Sequence, residues 1–171
     1  YRGMKLEDIE ILHALHEWKV EADYSSAVRL LEPFVRQLEQ KEDSLANRNK
    51  YYRPLSYLKE KLLLWEIKQQ VDSVNVGDSV RPYLKKDMLG GVYCDDGRRT
   101  YYWEGNQMIN TLIAYRIIKN DPSLCKLKEN MQLYILRTKE RGWNTYQASS
   151  AVATVLTDLL AGSGGMSGTS V

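Results

Sequence analysis

The feature that most constrains this chain is an alternation between two kinds of helical stretch in its second half. From about Glu104 to Lys119, the residues Met108, Ile109, Leu112, Ile113, Tyr115, Ile117 and Ile118 cover most sides of a helical wheel. The next stretch, Pro122 to about Arg141, is instead amphipathic. Leu124, Leu127, Met131, Tyr134, Ile135 and Thr138 lie on one side, and Lys126, Glu129 and Lys139 on the other. After Gly142, residues from Asn144 to Ala161 return to the first kind with Ala148, Ala151, Val152, Ala153, Val155, Leu156, Leu159 and Leu160. A helix apolar all round must be covered all round, whereas a striped helix sits between core and water. The order is therefore inner, outer, inner.

The first half fits the same scheme. Leu6 to Trp18 places Leu6, Ile9, Ile11, Leu12, Leu15 and Trp18 on a broad apolar face. Asp23, Ser25 and Ser26 offer N-cap chemistry to a second helix carrying Ala27, Leu30, Leu31, Phe34, Val35 and Leu38 and running to about Leu45, with Pro33 expected to kink or split it. Pro54 suits the first turn of a third helix that is well buried through Leu58, Leu62, Leu63, Leu64, Trp65 and Ile67. Gly77-Asp78 is expected to open a fourth, Ser79 to Leu89, closed by Gly90-Gly91, and the turn-rich loop from Val92 to Tyr102 has room for a short hairpin. Asp121-Pro122 is the paired start signal of the sixth helix.

Trp103 and Trp143 stand 40 residues apart, as do Gln107 and Gln147, each pair opening an inner helix. Together these signals predict an all-α fold of about seven helices, alternately outer and inner: helical hairpins of a partial α/α toroid, with too few helices to close a ring. The helical domain is expected over residues 1–161, followed by a flexible Gly/Ser tail at 162–171. The abrupt start and that tail suggest a fragment of a larger protein. An open array would leave apolar edges for other domains of its parent chain or for self-association.

Composition excludes several classes. Apolar residues make up 43% and charged residues 27%, which argues against disorder, and a net charge of +2 gives no field that would call for a nucleic-acid or membrane partner. The pairs Lys85-Lys86 and Arg98-Arg99 read as solvated surface. No run approaches the roughly 20 apolar residues of a membrane helix, and Tyr1 to Lys5 is no signal peptide. Cys94 and Cys125 lack metal-ligand spacing and are expected as reduced thiols, although spacing alone leaves a disulfide open. His13 and His16 share a helix face without a third ligand, so no metal and no cofactor is expected. Phosphate-loop, dinucleotide and Ser-His-Asp patterns are missing.

Candidate binding residues are the aromatics at the helix entries, Tyr93, Tyr101, Tyr102, Trp103, Trp143 and Tyr146, with Gln107. They offer a ligand rim, set against the alternative that they seal the layers and that Gln107 and Gln147 bond loop backbone. Asp95, Asp96 and Glu104 lie where toroid glycosidases keep their carboxylates, though turn chemistry accounts for the aspartates equally well.

The stretch Gly91-Val92-Tyr93, Tyr101-Tyr102-Trp103, Gln107, Asn120-Asp121-Pro122 and Gly142-Trp143-Asn144-Thr145-Tyr146-Gln147-Ala148-Ser149 resembles the thioester-containing helical domain of bacterial alpha-2-macroglobulin-like proteins. The resemblance covers about Gly91 to Leu160. It implies a scaffold or protein-binding surface in a large cell-envelope protein, periplasmic or outer-membrane-anchored through its parent, with proteases or other proteins as partners and endopeptidase inhibition or defence against a host as the role. The family's Cys-Gly-Glu-Gln thioester is missing: Cys94 is followed by Asp95-Asp96 and Cys125 by Lys126-Leu127. No catalytic residue carries over, and the reading is non-catalytic. The alternative is a truncated α/α-toroid enzyme, such as a glycoside hydrolase using Asp95, Asp96 or Glu104.

Overall fold

In a computed structural model, the structure describes residues 3–100, 107–138, 149 and 152–162. Helix dominates them: α1 (Leu6–Glu17), α2 (Tyr24–Arg48), α3 (Leu58–Asp72), the single turn α4 (Gly77–Val80), α5 (Gln107–Ile118) and α6 (Cys125–Thr138). A π-helical turn, Val152–Leu156, continues as helix at 157–162 and forms a C-terminal helical segment. Strands β1 (Leu84–Lys86) and β2 (Val92–Cys94) make one small antiparallel sheet. No helix among the described residues is long and apolar enough to cross a membrane.

The first helix buries a narrower stripe than expected. Ile9 and His13, one turn apart, face inward, whereas Ile11 is 55% and Trp18 75% exposed. Ile11 lies about 200° around the wheel from Ile9, on the side that faces away. Trp18 lies beyond the last turn, where Lys19 takes a left-handed conformation (φ 59°) and turns the chain towards α2. Asp23 caps α2 by accepting from the Ser26 N–H at 3.1 Å. Tyr24, Val28, Leu31 and Val35 form its buried stripe, and Leu30 is turned outward. Pro33 does not split α2. It sits on the exposed side, where water can bond the Arg29 carbonyl that the missing N–H leaves free.

The third helix starts at Leu58 rather than Pro54. The Pro54 carbonyl accepts from Arg99 N (3.2 Å) and Ser56 N donates to Arg99 O (2.7 Å), so this segment is held extended against the loop at residue 99. The expected fourth helix ends after one turn. Pro82, within the 3₁₀ turn Arg81–Tyr83, cannot donate to the helical ladder, and the chain pairs Leu84 with Cys94, Lys85 with Tyr93 and Lys86 with Val92. The Gly90-Gly91 pair therefore closes a hairpin, not a helix. Asp87 accepts from Leu89 N (2.9 Å) and Gly91 N (2.8 Å), and Gly90 takes φ 87°.

The fifth helix is buried at Met108, at every residue from Asn110 to Tyr115, and at Ile117 and Ile118. It packs between α3, β2 and α6. Thr111 Oγ1 accepts from Cys94 N at 2.9 Å and donates to Gln107 O, which docks the hairpin onto α5. As expected, α6 is striped: Met131, Tyr134 and Ile135 face in and Lys126 faces out. Helices α1, α3 and α5 lie side by side, with α2 behind α1 and α3, and α6 behind α5.

Candidate functional site

Two of the expected binding residues meet at the hairpin. Tyr93 stacks on Tyr134 of α6, with ring centroids 5.3 Å apart and planes at 28°. Gln107 donates to Asp95 Oδ2 at 3.1 Å and accepts from Tyr134 Oη at 3.5 Å. These groups, with Asp87, Arg137 and Thr138, surround a small pocket of about 200 Å³. Gln107 thus bonds side chains, not loop backbone. Asp87, ion-paired to Arg137, has a carboxyl that burial pushes up but that the Gly91 and Leu89 N–H groups and Arg137 hold below the usual range. Tyr101, Tyr102, Trp103, Glu104, Trp143, Tyr146 and Gln147 lie outside the described residues.

The aspartates proposed as catalytic alternatives have local partners. Asp96 accepts from Ser56 Oγ at 2.8 Å and from Arg98 N at 3.1 Å, while Asp95 accepts from Gln107. Cys94 is fully buried and its thiol is pushed up to about 12, by burial first and then by the charges of Asp95 and Asp96. It is no nucleophile in this setting. Both cysteines are free, Cys94 buried and Cys125 exposed. Of the two basic pairs, Arg98 and Arg99 are structural: Arg98 pairs with Asp43 at 2.6 Å and Arg99 Nε donates to Arg53 O at 2.6 Å.

A larger cavity, about 760 Å³, opens between alternate helices. Its walls are Glu10, His13, Ala14 and Glu17 of α1, Lys59 and Leu63 of α3, Ile109, Leu112, Ile113 and Arg116 of α5, and Ser149, Ala153 and Thr154 near the C-terminus. No described residue of α2 or α6 lines it. Beside it lies a buried ionic cluster. Glu66 of α3 accepts from His13 Nε2 at 2.6 Å, Arg116 Nε at 2.8 Å and Arg116 Nη2 at 3.0 Å. Burial alone would raise the Glu66 pKa, but the hydrogen bonds from His13 and Arg116 and the Arg116 charge outweigh it and lower it to about 2. An ionised carboxylate only accepts, so His13 Nε2 carries the proton and Nδ1 faces Glu17 at 3.7 Å. His16 points elsewhere, edge-on to Tyr24 at 4.9 Å. The two histidines therefore serve different contacts, and among the described residues no group of three or more His, Cys, Asp or Glu could hold a metal ion.

Sequence reasoning missed this cluster, although its signal was present. Glu66 and Arg116 are opposite charges set in the most apolar stretches of two inner helices, where each needs a partner. A second tie joins the layers. Gln132 of α6 donates to Tyr115 Oη, which donates to Asp158, both at 2.9 Å. Burial, and then the bond to Asp158, raise the Tyr115 hydroxyl to about 12 against the opposing bond from Gln132. No protein-family model, curated protein or solved structure matches this chain.

Proposed function

We propose that this chain is a non-catalytic α/α-toroid segment of the thioester-domain type found in alpha-2-macroglobulin-like envelope proteins, acting as a scaffold and protein-binding surface. The observation that carries the reading is the lining of the large cavity: among the described residues it is formed by α1, α3, α5 and the C-terminal residues, with α2 and α6 behind. Helices that return to a common hollow after an outer excursion, α2 between α1 and α3, and the single turn α4 with the β-hairpin between α3 and α5, are what stacked hairpins curving into a ring would give. Apolar residues are exposed at both ends of this row, Ile11 on α1 with Trp18 just beyond it, and Leu160 (73%) in the C-terminal segment, which favours contact with further helices of a parent chain. The local bonds of Asp95 and Asp96 and the inert Cys94 favour a scaffold over a hydrolase.

The test is to incubate the full protein carrying this domain with endopeptidases of different specificity. Retarded protease bands on native gels, with cleavage of small peptides retained, are the expected result. Proteases that migrate and digest as before would remove the inhibitory role, and turnover of a glycoside by the isolated chain would favour the truncated enzyme instead.

A further inference from the structure

A net charge of +2 conceals one local concentration of cations. Arg81 of the 3₁₀ turn, Lys85 and Lys86 of β1 and Lys126 of α6 line a single depression of about 370 Å³, whose floor includes Leu84, Val92, Leu124 and Leu127. Two carboxylates approach the rim. Glu129 stands 3.7 Å from Lys126, in a pair whose members are 84% and 56% exposed, and Asp121, bonded to Ser123, feels the charge of Arg81. Such surface pairs neutralise little. Lys85 and Lys86 make no ion pair among the described residues, in contrast to Arg98, which is held by Asp43.

The second observation lies on the same hairpin. Its turn, just beyond Lys86, carries Met88 and Leu89 at 101% and 70% exposure. These are the only large hydrophobics at a tip whose shape is fixed from below: the Asp87 carboxyl holds the N–H groups of Leu89 and Gly91 and pairs with Arg137. A rigid turn that presents two apolar side chains, backed by exposed cations over an apolar floor, matches the layering of an anionic bilayer surface. The acyl boundary receives the apolar tip and the headgroups receive the cations.

We propose that the β1–β2 hairpin docks the chain onto anionic lipid, Met88 and Leu89 entering the interface and Arg81, Lys85, Lys86 and Lys126 meeting the headgroup phosphates. The proposal is independent of the toroid reading, because it needs only the hairpin and its neighbours.

The experiment is co-sedimentation of the intact chain with vesicles of phosphatidylcholine alone and of phosphatidylcholine mixed equally with phosphatidylglycerol, with circular dichroism to verify that each variant is folded. Wild type is expected to sediment with the anionic vesicles and stay in solution with the neutral ones. Lys85→Gln/Lys86→Gln is expected to lower the partition coefficient by about 25-fold, roughly fivefold for each charge removed. Met88→Ser/Leu89→Ser is expected to weaken binding as well and to make what remains more salt-sensitive, because only the screened electrostatic part is left. Wild type staying in solution with anionic vesicles, equal sedimentation with both vesicle types, or a lysine variant that sediments like wild type would each overturn the proposal. Displacement by millimolar inorganic phosphate would assign the depression to a free phosphate group instead. Binding of polyglutamate without vesicle binding would assign it to an acidic protein.

Discussion

Glu66 occupies a position that few carboxylates hold, inside the run Leu62-Leu63-Leu64-Trp65-Glu66-Ile67 and 7% exposed. Its partners His13 and Arg116 lie 53 and 50 residues away, so local spacing gave no means of choosing them even though the need for a partner was legible. Because its pKa falls from 4.5 to about 2 on folding, the carboxylate stabilises the fold fully above about pH 4.5, and this contribution is lost as pH drops towards 2. We expect Glu66→Gln to lower stability at pH 7 by about 3 kcal/mol and to flatten the acid limb of a stability-versus-pH curve from urea melts. An unchanged acid limb would mean that Glu66 is not the titrating group. Cysteine reactivity offers a second check. One thiol, Cys125, is expected to react rapidly with a disulfide reagent in the native protein, and Cys94 only after denaturation.

At the scale of elements, the apolar patterns told that α3 and α5 are buried but not where each helix begins, and the C-terminal segment, expected inside, leaves Ala153 and Leu160 exposed. The hairpin is the clearest case. A Gly-Gly pair after a short amphipathic stretch reads equally as a helix stop or a β-turn, and the choice is made by docking: Cys94 N on Thr111 and Tyr93 on Tyr134, contacts with α5 and α6 that lie far along the chain. Gly91 fits this docking closely. A Cβ there would stand 2.5 Å from Arg137 Nη2 and 3.1 Å from Tyr134 Cβ. Gly91→Ala should therefore cost about 1–3 kcal/mol in thermal or urea melts, whereas Gly90, with open space but φ 87°, is constrained by its backbone alone. Pro33 offers the opposite sign. It lies in the interior of a helix that continues past it, so Pro33→Ala restores one hydrogen bond and is expected to raise stability by about 1–3 kcal/mol. A loss of stability would show that Pro33 is needed for the path of α2.

For the whole molecule, the layering of α3, α5 and α6 was legible because burial on all sides and burial on one side leave different patterns. The candidate site was legible only in part. Tyr93 and Gln107 do line one small pocket, each against Tyr134, but the large cavity and its ionic cluster are assembled from α1, α3, α5 and the C-terminal residues, a convergence that depends on how hairpins stack. The burial of α5 has a dynamic consequence as well. It is enclosed by α3, α6 and β2, and it is tied by the Gln69 bond to the Ile117 carbonyl and by Thr111 to the hairpin, so that loosening it separates packed layers. Its amide protons should exchange with deuterium only through global opening, at rates set by the full unfolding free energy, while those of α1 near Trp18 exchange by local fraying. The helix thus marks the slowest-exchanging unit of the chain, and mass spectrometry after timed labelling would read it as the last peptide to gain mass.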